Sequence, residues 1–458
     1  MQRLWPLVVI AAIFAVFGFI YASITPYRTP GILVYQRDPA TGQPQTSKDI
    51  GAPDERQHAN YVRRIMEGGG LMVLRPDDLE LYENYQAHQP PLYYFVAAGW
   101  CKVLGAKLDQ TDGGMPIRIL SIIFGIGSVI GLFYVGLWAT GREVIGFGTA
   151  AFALMPMFVA LNSAASNDPL LFLLTAWSLA FMIKAVKTEA GLKDWVILGV
   201  LIGLGILTKT TAIFLLPLAV LTAFLAKGDW KKWVVPCGVA LIFAIPWWLR
   251  NYGIYQDPLA QNAFRASFTN SPQADLFIQG LGPVGYWFNM VGWWTLRSFI
   301  GAFGYMDIYL FESLGKDKSG SLYTALAFLF AIPLMTGIYQ VFAVKSEDEE
   351  TPNRKVGILA LTAIVIIGVL FYYFNKTYFQ GQARYLYPAF GAFAVLFAIG
   401  IDFILQKRLK TAWVVTAVIL IGLNIVAVTQ LPSAFEKRKV VPIAFGNESL
   451  QPTINLLL

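Results

Sequence analysis

The side chains best suited to chemistry appear early, in the stretch PDERQH at positions 53–58. Asp54 and His58 are four residues apart, so they would share one face of a helix. A carboxylate and an imidazole in this arrangement could act as a general base with its orienting partner, or as two ligands of a metal ion. Pro53 followed by Asp54 and Glu55 is also an ordinary helix opening, in which the acids only cap the helix. Both interpretations stay open on these residues alone.

Further polar residues stand at the ends of apolar segments. Asn167-Asp168-Pro169 combines a helix cap with a proline, which by itself indicates a helix start. Single arginines beside aromatic residues can snorkel to lipid headgroups. Acids and cations gathered on one side of a membrane, however, suit a reaction in which a hydroxyl loses a proton while a charged phosphate leaves. The polar set comprises Asp54, Glu55, His58, His88, Gln89, Arg118, Asn167, Asp168, Lys209, Arg250 and Arg384.

The composition is that of a membrane protein. Of the 458 residues, 56% are hydrophobic and only 14% are charged, whereas soluble domains carry about 25% charged residues. The mean hydropathy is +0.55. The net charge of +7 does not indicate nucleic-acid binding, because the lysines and arginines lie at segment ends, where membrane topology places them. The sequence contains no nucleotide-phosphate loop, no Ser-His-Asp order and no zinc-binding spacing.

Long apolar segments predict an all-α polytopic protein, a helix bundle with about eleven transmembrane helices. The first segment resembles a signal peptide, but it is long enough to span the bilayer and is interpreted as a retained helix. The apolar stretch from Trp195 to Ala226 is too long for one crossing. We interpret it as two short helices with Lys209 at an outer turn, since a lysine in mid-bilayer would cost at least a few kcal/mol. The predicted spans are 4–23, 116–139, 143–161, 169–187, 194–208, 211–227, 232–252, 322–344, 356–374, 385–405 and 411–430.

Basic residues predict the orientation of these spans. One alternate set of segment ends is basic, which places those ends and the N-terminus in the cytoplasm of an inner-membrane protein. The polar set then faces the periplasm or the cell exterior. The basic residues are Arg3, Arg142, Lys184, Lys187, Lys193, Lys227, Lys231, Lys232, Lys345, Arg354, Lys355, Lys407, Arg408 and Lys410.

The predicted regions follow from that orientation. They are a first transmembrane helix (1–23), an outer loop with the acids and interfacial helices (24–115), core transmembrane helices (116–252), an aromatic outer loop (253–321), C-terminal transmembrane helices (322–430) and an outer tail (431–458). In the first outer loop, Leu92 to Leu104 is apolar but only about 13 residues long, too short to span the bilayer. It follows Pro90-Pro91 and is predicted to be an interfacial helix. In the second outer loop, residues 282–307 suit a position along the interface, as a lid or as packing.

On these motifs the chain resembles the GT-C superfamily of membrane glycosyltransferases, in particular the users of lipid-phosphate sugars related to protein O-mannosyltransferases and to aminoarabinose transferases of lipid A. SFIGAFGYMD (298–307) looks similar to a group of bacterial members. The other motifs that carry the resemblance are PDERQH (53–58), HQPPLYY (88–94), PIRIL (116–120), SNDPLL (166–171), LTKTTAIFLLP (207–217), PWWLRNYGIYQDPL (246–259) and GQARYLYP (381–388).

The resemblance implies an inverting transferase that moves a sugar from a polyprenyl-phosphate carrier to a hydroxyl of a glycan, lipid or protein on the outer side of the membrane. By motif, Asp54 looks like the catalytic base, with Glu55 beside it for the acceptor. Asp168 is similar to a second acidic position, which in some members shares a divalent metal such as Mg²⁺ or Mn²⁺ with the first. The implied metal ligands are Asp54, His58 and Asp168, and the implied ligands of the donor phosphate are Arg118, Lys209, Arg384, His88 and Gln89.

Two other functions remain as alternatives on the sequence. In a transporter or flippase for lipid-linked glycans, the polar residues would line a pathway. Transporters often show inverted repeats and charges near the bilayer midplane, and the sequence shows neither. A non-catalytic subunit that binds lipid-linked glycans would keep the same motifs, although the intact acids argue against it.

Overall fold

The structure is a computed structural model that describes residues 4–37, 42–188, 190–227, 229–268, 271–343 and 352–439. Within these residues the protein is almost entirely helical, as the sequence predicts. Two small antiparallel sheets are formed by β1 (Gly31–Arg37) with β2 (Pro44–Ser47) and by β3 (Ala302–Phe303) with β4 (Ile308–Tyr309). The α-helices are α1 (Trp5–Ile24), α2 (Glu55–Met66), α3 (Leu81–Asn84), α4 (Leu92–Val103), α5 (Met115–Thr140), α6 (Glu143–Ala151), α7 (Pro156–Leu161), α8 (Asp168–Lys187), α9 (Leu192–Thr208), α10 (Leu215–Leu225), α11 (Lys231–Tyr255), α12 (Gln261–Ser267), α13 (Ala274–Val284), α14 (Trp293–Ile300), α15 (Lys316–Ala343), α16 (Pro352–Thr377), α17 (Phe390–Leu405) and α18 (Leu409–Glu436).

Eight of these helices are long and apolar enough to cross a membrane, counted over the described residues. They are α1, α5, α8, α11, α15, α16, α17 and α18. Each coincides with one of the predicted spans, because a segment of about 20 apolar residues can satisfy its backbone in lipid only as a helix. The protein is therefore an integral membrane protein. Lys345 of the predicted basic ends lies outside the described residues, as do Arg3 and the predicted tail beyond position 439.

The three other predicted spans form shorter or interrupted helices. Segment 143–161 divides into α6, a 3-10 turn at Phe152–Leu154 and α7. The break falls before Pro156, which lacks the N–H that would continue the helix. Segments 194–208 and 211–227 become α9 and a 3-10 helix, Thr210–Phe214, that leads into α10. Lys209 lies at the junction of these two elements, as predicted.

The first outer loop folds against one end of the bundle. Here α2 buries Tyr61 and Val62, while α4 begins after Pro90-Pro91 and buries Tyr93 and Tyr94. The two helices pack on each other, and α4 also packs on α5 and α9. The predicted short helix in this loop is thus present as a helix of 12 residues.

In the second outer loop, the aromatic stretch 282–307 ends in a buried hairpin. Its strands β3 and β4 are completely covered by neighbouring elements. Asp307 is fully buried and pairs with Arg438 beyond the end of α18, with 3.0 Å between Oδ2 and Nε. This end of the stretch is therefore a packing element rather than a lid.

Helix α17 follows the motif GQARYLYP (381–388) and lies deep in the bundle. It crosses α15 so closely that a Cβ on Gly400 would lie 1.7 Å from the carbonyl oxygen of Pro333. A Cβ on Gly337 would likewise lie 2.0 Å from the carbonyl oxygen of Leu396. The contact between these helices therefore requires glycine on both sides, and it fixes the middle and second half of α17 against α15.

Candidate active site

Asp54 lies at the start of α2 and faces an arginine from near the far end of the sequence. Its backbone is left-handed, with φ of 61°, and its N–H donates to the hydroxyl of Tyr305 at 3.3 Å. The side chain makes no capping hydrogen bond. Instead, Oδ2 accepts a hydrogen bond from Nη2 of Arg384 at 2.8 Å. The capping interpretation is therefore wrong for Asp54, because its carboxylate is directed towards a charged partner.

Glu55 is the next residue, yet it points into the bundle. Its Oε1 accepts hydrogen bonds from Nε of Arg118 and from the N–H of Ala165, both at 2.8 Å. Its Oε2 accepts from Nη2 of Arg118 at 2.6 Å. Both side chains of this pair are only 4% exposed. The pair joins α2 to α5 and to the segment that precedes α8.

Arg118 has no donor left for a ligand. Its Nη1 donates to the carbonyls of Ala22 and Thr25, at 2.6 and 2.8 Å, and its Nη2 donates to that of Pro26 at 3.1 Å. Together with the two bonds to Glu55, these use all of the N–H groups of a guanidinium. In this arrangement Arg118 therefore offers no donor to the phosphate that it was predicted to bind. The carboxylate of Glu55, predicted to lie beside the acceptor, is likewise buried and occupied.

Asp168 and Lys209 form a second ion pair on the same side of the bundle. Asp168 is the first residue of α8 and Lys209 follows the last residue of α9, and Oδ1 accepts from Nζ at 2.6 Å. Asn167 does not cap α8 with its side chain. Its Nδ2 donates to the carbonyl of Thr208 at 3.1 Å and to Oε1 of Gln89 at 3.2 Å. These bonds tie the start of α8 to the end of α9 and so hold the ion pair in place.

Tyr385 lies between the two cations. Its ring centroid is 5.1 Å from the guanidinium carbon of Arg384 and 6.0 Å from Nζ of Lys209, within the range of cation–π attraction. Its hydroxyl also accepts a hydrogen bond from Nη2 of Arg384 at 3.2 Å. The two ion pairs, Asp54–Arg384 and Asp168–Lys209, thus meet around one aromatic ring. We refer to these four charged residues with Tyr385 as the ion-pair cluster.

Arg384 is buried, at 8% exposure, but it is not saturated. Its Nε finds no acceptor among the described residues. Burial lowers the pKa of Arg384, but Tyr385 and Asp54 more than offset this and hold the pKa well above its usual value. A charged guanidinium with unused donors in a buried position can take an anionic ligand.

His58 lies one helical turn after Asp54, but the two side chains do not bond to each other. Its Nδ1 is 2.9 Å from the hydroxyl of Tyr94, and the two rings stack with centroids 5.8 Å apart. Burial lowers the pKa of His58 to about 3, against the opposing effect of Asp54. The imidazole is therefore neutral at physiological pH. In this arrangement His58 therefore bonds to Tyr94 and not to Asp54, which it could have oriented as a general base.

His88 and Gln89 link the first outer loop to the cluster. The Nδ1 of His88 donates to the carbonyl of Tyr85 at 3.0 Å, and its Nε2 lies 3.0 Å from Nε2 of Gln89. Gln89 therefore donates to the imidazole and accepts from Asn167. Burial, aided by the positive charge of Lys209, lowers the pKa of His88 to about 4. His88 is a neutral neighbour of the cluster rather than a cation.

The predicted metal ligands do not fit a divalent ion in this arrangement. Asp54 and Asp168 each hold a cation on one carboxylate oxygen, and His58 directs a ring nitrogen to Tyr94. Among the residues that the structure describes, no group of three or more His, Cys, Asp or Glu side chains could hold a metal ion. The donor set is instead arranged to bind cationic side chains.

Three tyrosines that the sequence did not predict contact the site. Tyr385 directly follows Arg384, and Tyr94 is the last residue of the motif HQPPLYY. Their positions within these motifs could have identified both tyrosines as site residues. Tyr305 lies 251 residues from Asp54, and no spacing connects the two. Arg250, which the sequence grouped with these cations, donates to the carbonyl of Met72 at 2.6 Å and lies outside the cluster.

Part of the amino-acid sequence matches the model of a known protein family. Residues 88–249 match the family model described as dolichyl-phosphate-mannose-protein mannosyltransferase. No curated protein sequence matches the chain. The match of the family model covers HQPPLYY and SNDPLL and includes two residues of the ion-pair cluster, Asp168 and Lys209.

Several solved structures share the fold. ArnT from Cupriavidus metallidurans, bound to undecaprenyl phosphate, superposes with a TM-score of 0.52 at 16% identity, over 94% of this chain and 77% of that one. The oligosaccharyltransferase of Archaeoglobus fulgidus in complex with Zn and sulfate gives 0.51 at 14% identity, over 92% and 53%. The same archaeal enzyme, AglB, with an inhibitory peptide and a dolichol-phosphate gives 0.50 at 14% identity, over 97% and 57%.

The chain spans little more than half the length of the archaeal oligosaccharyltransferase. The likeness to that enzyme therefore concerns only a part of its length. The alignments with ArnT and AglB extend along 94% and 97% of this chain, at identities of 16% and 14%. The resemblance is confirmed at the level of the fold, which this chain shares with these GT-C structures.

Proposed function

We propose that the protein transfers a sugar from a polyprenyl-phosphate carrier to an acceptor hydroxyl at the outer face of the membrane. The observation that carries this proposal is the ion-pair cluster, in which a buried Arg384 keeps unused donors beside the accessible carboxylate of Asp54. A guanidinium in that state suits a phosphate, and a carboxylate next to it suits a proton acceptor. Solved proteins of the same fold bind undecaprenyl phosphate and a dolichol-phosphate, which supports a lipid phosphate as the anion.

Asp54 is the proposed base. The acceptor oxygen attacks the anomeric carbon of the sugar, the bond from that carbon to the phosphate oxygen breaks, and the acceptor proton passes to Asp54. Attack from the face opposite the phosphate inverts the anomeric configuration. The negative charge that develops on the leaving phosphate is stabilised by Arg384 and Lys209, whose fields act strongly in a site with little water.

Binding of the carrier would prepare the base. Arg384 and Lys209 each hold a carboxylate in this structure, at 2.8 and 2.6 Å. A phosphate that bonds to the unused donors of Arg384 competes with Asp54 for the guanidinium and frees a carboxylate oxygen for the acceptor. Lys209 can divide its donors between Asp168 and the phosphate in the same way. In the proposed phosphate site Gln89 offers its second amide N–H, and neutral His88, whose two ring nitrogens are in use, holds that amide in place.

The deciding experiment measures the melting temperature of the purified protein in detergent, with and without undecaprenyl phosphate. A ligand that binds only the folded state stabilises it by about 2.7 kcal/mol at a hundredfold excess over its dissociation constant. We expect a clear upshift for the wild type and none for Arg384→Ala. Arg265→Ala is the matched control, because Arg265 is an exposed arginine of the second outer loop.

Two outcomes would count against the proposal. No upshift of the wild type at saturating lipid would remove the donor assignment and favour a transporter or a non-catalytic subunit. An equal upshift in wild type and Arg384→Ala would show that the lipid binds elsewhere. If the shift follows the expected pattern, sugar-loaded carriers can be screened by the release of undecaprenyl phosphate.

A further inference from the structure

An apolar groove lies at the end of the bundle opposite the ion-pair cluster. Helices α15 and α18 both pack against α17 and leave between them a groove of about 250 Å³. Phe397 and Ile401 of α17 form its floor, while Phe330 of α15 and Val415 of α18 stand in its walls. All three helices are membrane-spanning by length and composition. The groove therefore opens to the hydrocarbon of the bilayer rather than to water.

The groove is distant from the cluster. The turn with Arg384 comes shortly before the first residue of α17, whereas the groove continues to Leu405, the last residue of that helix. A helix of 16 residues is about 24 Å long at 1.5 Å per residue. A ligand in the groove would thus sit at the membrane surface that the proposed sugar-transfer site does not face.

One end of the groove is polar and positively charged. Arg408, the residue that precedes α18, and Thr411 in its first turn both line it. Arg408 makes no ion pair with any residue that the structure describes. The nearby acid, Asp402, is already bonded to Arg142 at 2.6 Å. The start of a long helix adds partial positive charge, so this end offers an available cation beside an apolar channel.

We propose that this groove binds an anionic phospholipid, with one acyl chain along α17 and the phosphate at Arg408. An apolar groove within a bilayer is filled by hydrocarbon, and the guanidinium at its end pairs with phosphate oxygens. Basic residues at a membrane surface attract anionic lipids, with about 1 kcal/mol for each Lys or Arg. A zwitterionic headgroup would bring its own cation next to Arg408, so the charge of the site favours phosphatidylglycerol over phosphatidylcholine.

The test uses the full-length protein in detergent, titrated with phosphatidylglycerol or phosphatidylcholine, with melting temperature and native mass spectrometry as readouts. Phosphatidylglycerol should raise the melting temperature more than phosphatidylcholine at the same mole fraction. Arg408→Gln should weaken phosphatidylglycerol binding about five- to tenfold. Lys410→Gln is the matched control, since it removes the same charge two residues away, outside the groove.

A second pair of variants tests the acyl channel. Val415 is 51% exposed and lines the groove, whereas its neighbour Val414 is 63% exposed and lies off it. Because both side chains are exposed, a tryptophan at either position leaves the helix packing intact. Val415→Trp should abolish the preference for phosphatidylglycerol, and Val414→Trp should preserve it.

Four results would overturn the proposal. Equal shifts with the two phospholipids, or equal losses in Arg408→Gln and Lys410→Gln, would mean that lipids gather by diffuse charge attraction without a defined site. Undiminished binding of phosphatidylglycerol by Val415→Trp would show that no acyl chain lies in the groove. A response to undecaprenyl phosphate that depends on Arg408, with none to phosphatidylglycerol, would assign the groove to the carrier instead. The site does not depend on the proposed sugar transfer, so Arg384→Ala should respond to phosphatidylglycerol as the wild type does.

Discussion

Two buried arginines pair with two carboxylates that are neighbours in the sequence, yet the two pairs differ in almost every respect. Glu55 and Arg118 are each 4% exposed, and every donor of the guanidinium is used. Asp54 is 23% exposed, and its partner Arg384 keeps an Nε without an acceptor among the described residues. The first pair is closed to ligands, and the second can exchange its partner.

This difference is the reason for assigning a structural role to the first pair and proposing a functional role for the second. Burial alone does not separate them, since both arginines are buried. What separates them is the number of donors in use and the exposure of the carboxylate. A saturated pair holds elements together, whereas an unsaturated pair in a cleft costs free energy that a ligand can recover.

If Asp54 is dispensable for sugar transfer, the Asp54–Arg384 pair has no catalytic role and the distinction between the two pairs is lost. Asp54→Asn keeps the shape of the side chain but cannot accept the acceptor proton, so transfer should slow about 10²- to 10⁴-fold. The measurement is the release of undecaprenyl phosphate from a carrier that the wild type accepts, together with the melting temperature, which should hardly change. Asp112→Asn, an exposed acid of the same outer loop, is the control. Near-normal turnover in Asp54→Asn would exclude Asp54 as the base.

Removing Arg118 should instead affect folding. Arg118→Met leaves the charge of Glu55 buried without a partner, which costs about 3–5 kcal/mol of unfolding free energy. The double variant Arg118→Met with Glu55→Met should recover most of that loss, because it removes both buried charges. Denaturation in detergent measures the difference. A stable Arg118→Met protein that no longer binds undecaprenyl phosphate would reverse the roles of the two arginines.

The two histidines adjoin the cluster that contains Asp54, and they should make the stability of the protein depend on pH. Burial lowers the pKa of His58 to about 3 and that of His88 to about 4. The histidines of the unfolded chain bind protons at a higher pH than the buried histidines of the folded protein. The contribution of the neutral histidines to the free energy of unfolding is therefore complete above about pH 6.5, and it is lost as the pH falls from there towards 4. The loss between pH 7 and pH 5 is about 2 kcal/mol for each histidine.

Melting temperatures across this pH range measure that loss. The protein has two histidines in all, so the variant with both His58→Gln and His88→Gln should show a much flatter profile from pH 7 to pH 5. The single variants should each remove about half of the slope. An unchanged slope in the double variant would mean that other groups titrate there.

The smallest expected effect concerns Tyr305, whose hydroxyl accepts the N–H of Asp54. Tyr305→Phe removes the hydrogen bond to the backbone of Asp54, worth about 1 kcal/mol, so transfer should slow several-fold while carrier binding is kept. Tyr286→Phe is the matched control, since it removes another buried tyrosine hydrogen bond, from Tyr286 to the carbonyl of Asn375 at 2.6 Å. Equal rates for the two variants would remove Tyr305 from the positioning of Asp54.

Much of the fold follows from local signals in the sequence. The eight long helices coincide with predicted spans because the bilayer imposes both their length and their apolar character. The turn at Lys209 was predictable for the same reason, since an ammonium group is excluded from the hydrocarbon. The apolar length of 143–161 predicts a single span. The segment instead divides into two helices at Pro156, and apolar length alone does not report such a break.

The site was predictable in part. Asp54, Asp168, Lys209 and Arg384 were expected together, and the structure joins them in two ion pairs. The roles of Glu55, Arg118 and His58 were not, because each depends on a contact with a residue far along the chain or on another element. Glu55 and Arg118 are 63 residues apart, for instance, and nothing in the spacing shows that they meet.

By itself, the sequence determined that this chain crosses a membrane as a helical bundle and that its acids and cations gather at one end. Both results depend on the free energy of transferring side chains from water to lipid. That free energy is set by the residues of each segment separately, so it can be read from the sequence. Only the tertiary structure decided which of two adjacent acids became buried and which stayed accessible. The local signals of Asp54 and Glu55 are the same, and the distinction arises because α5 brings Arg118 to one and the turn before α17 brings Arg384 to the other.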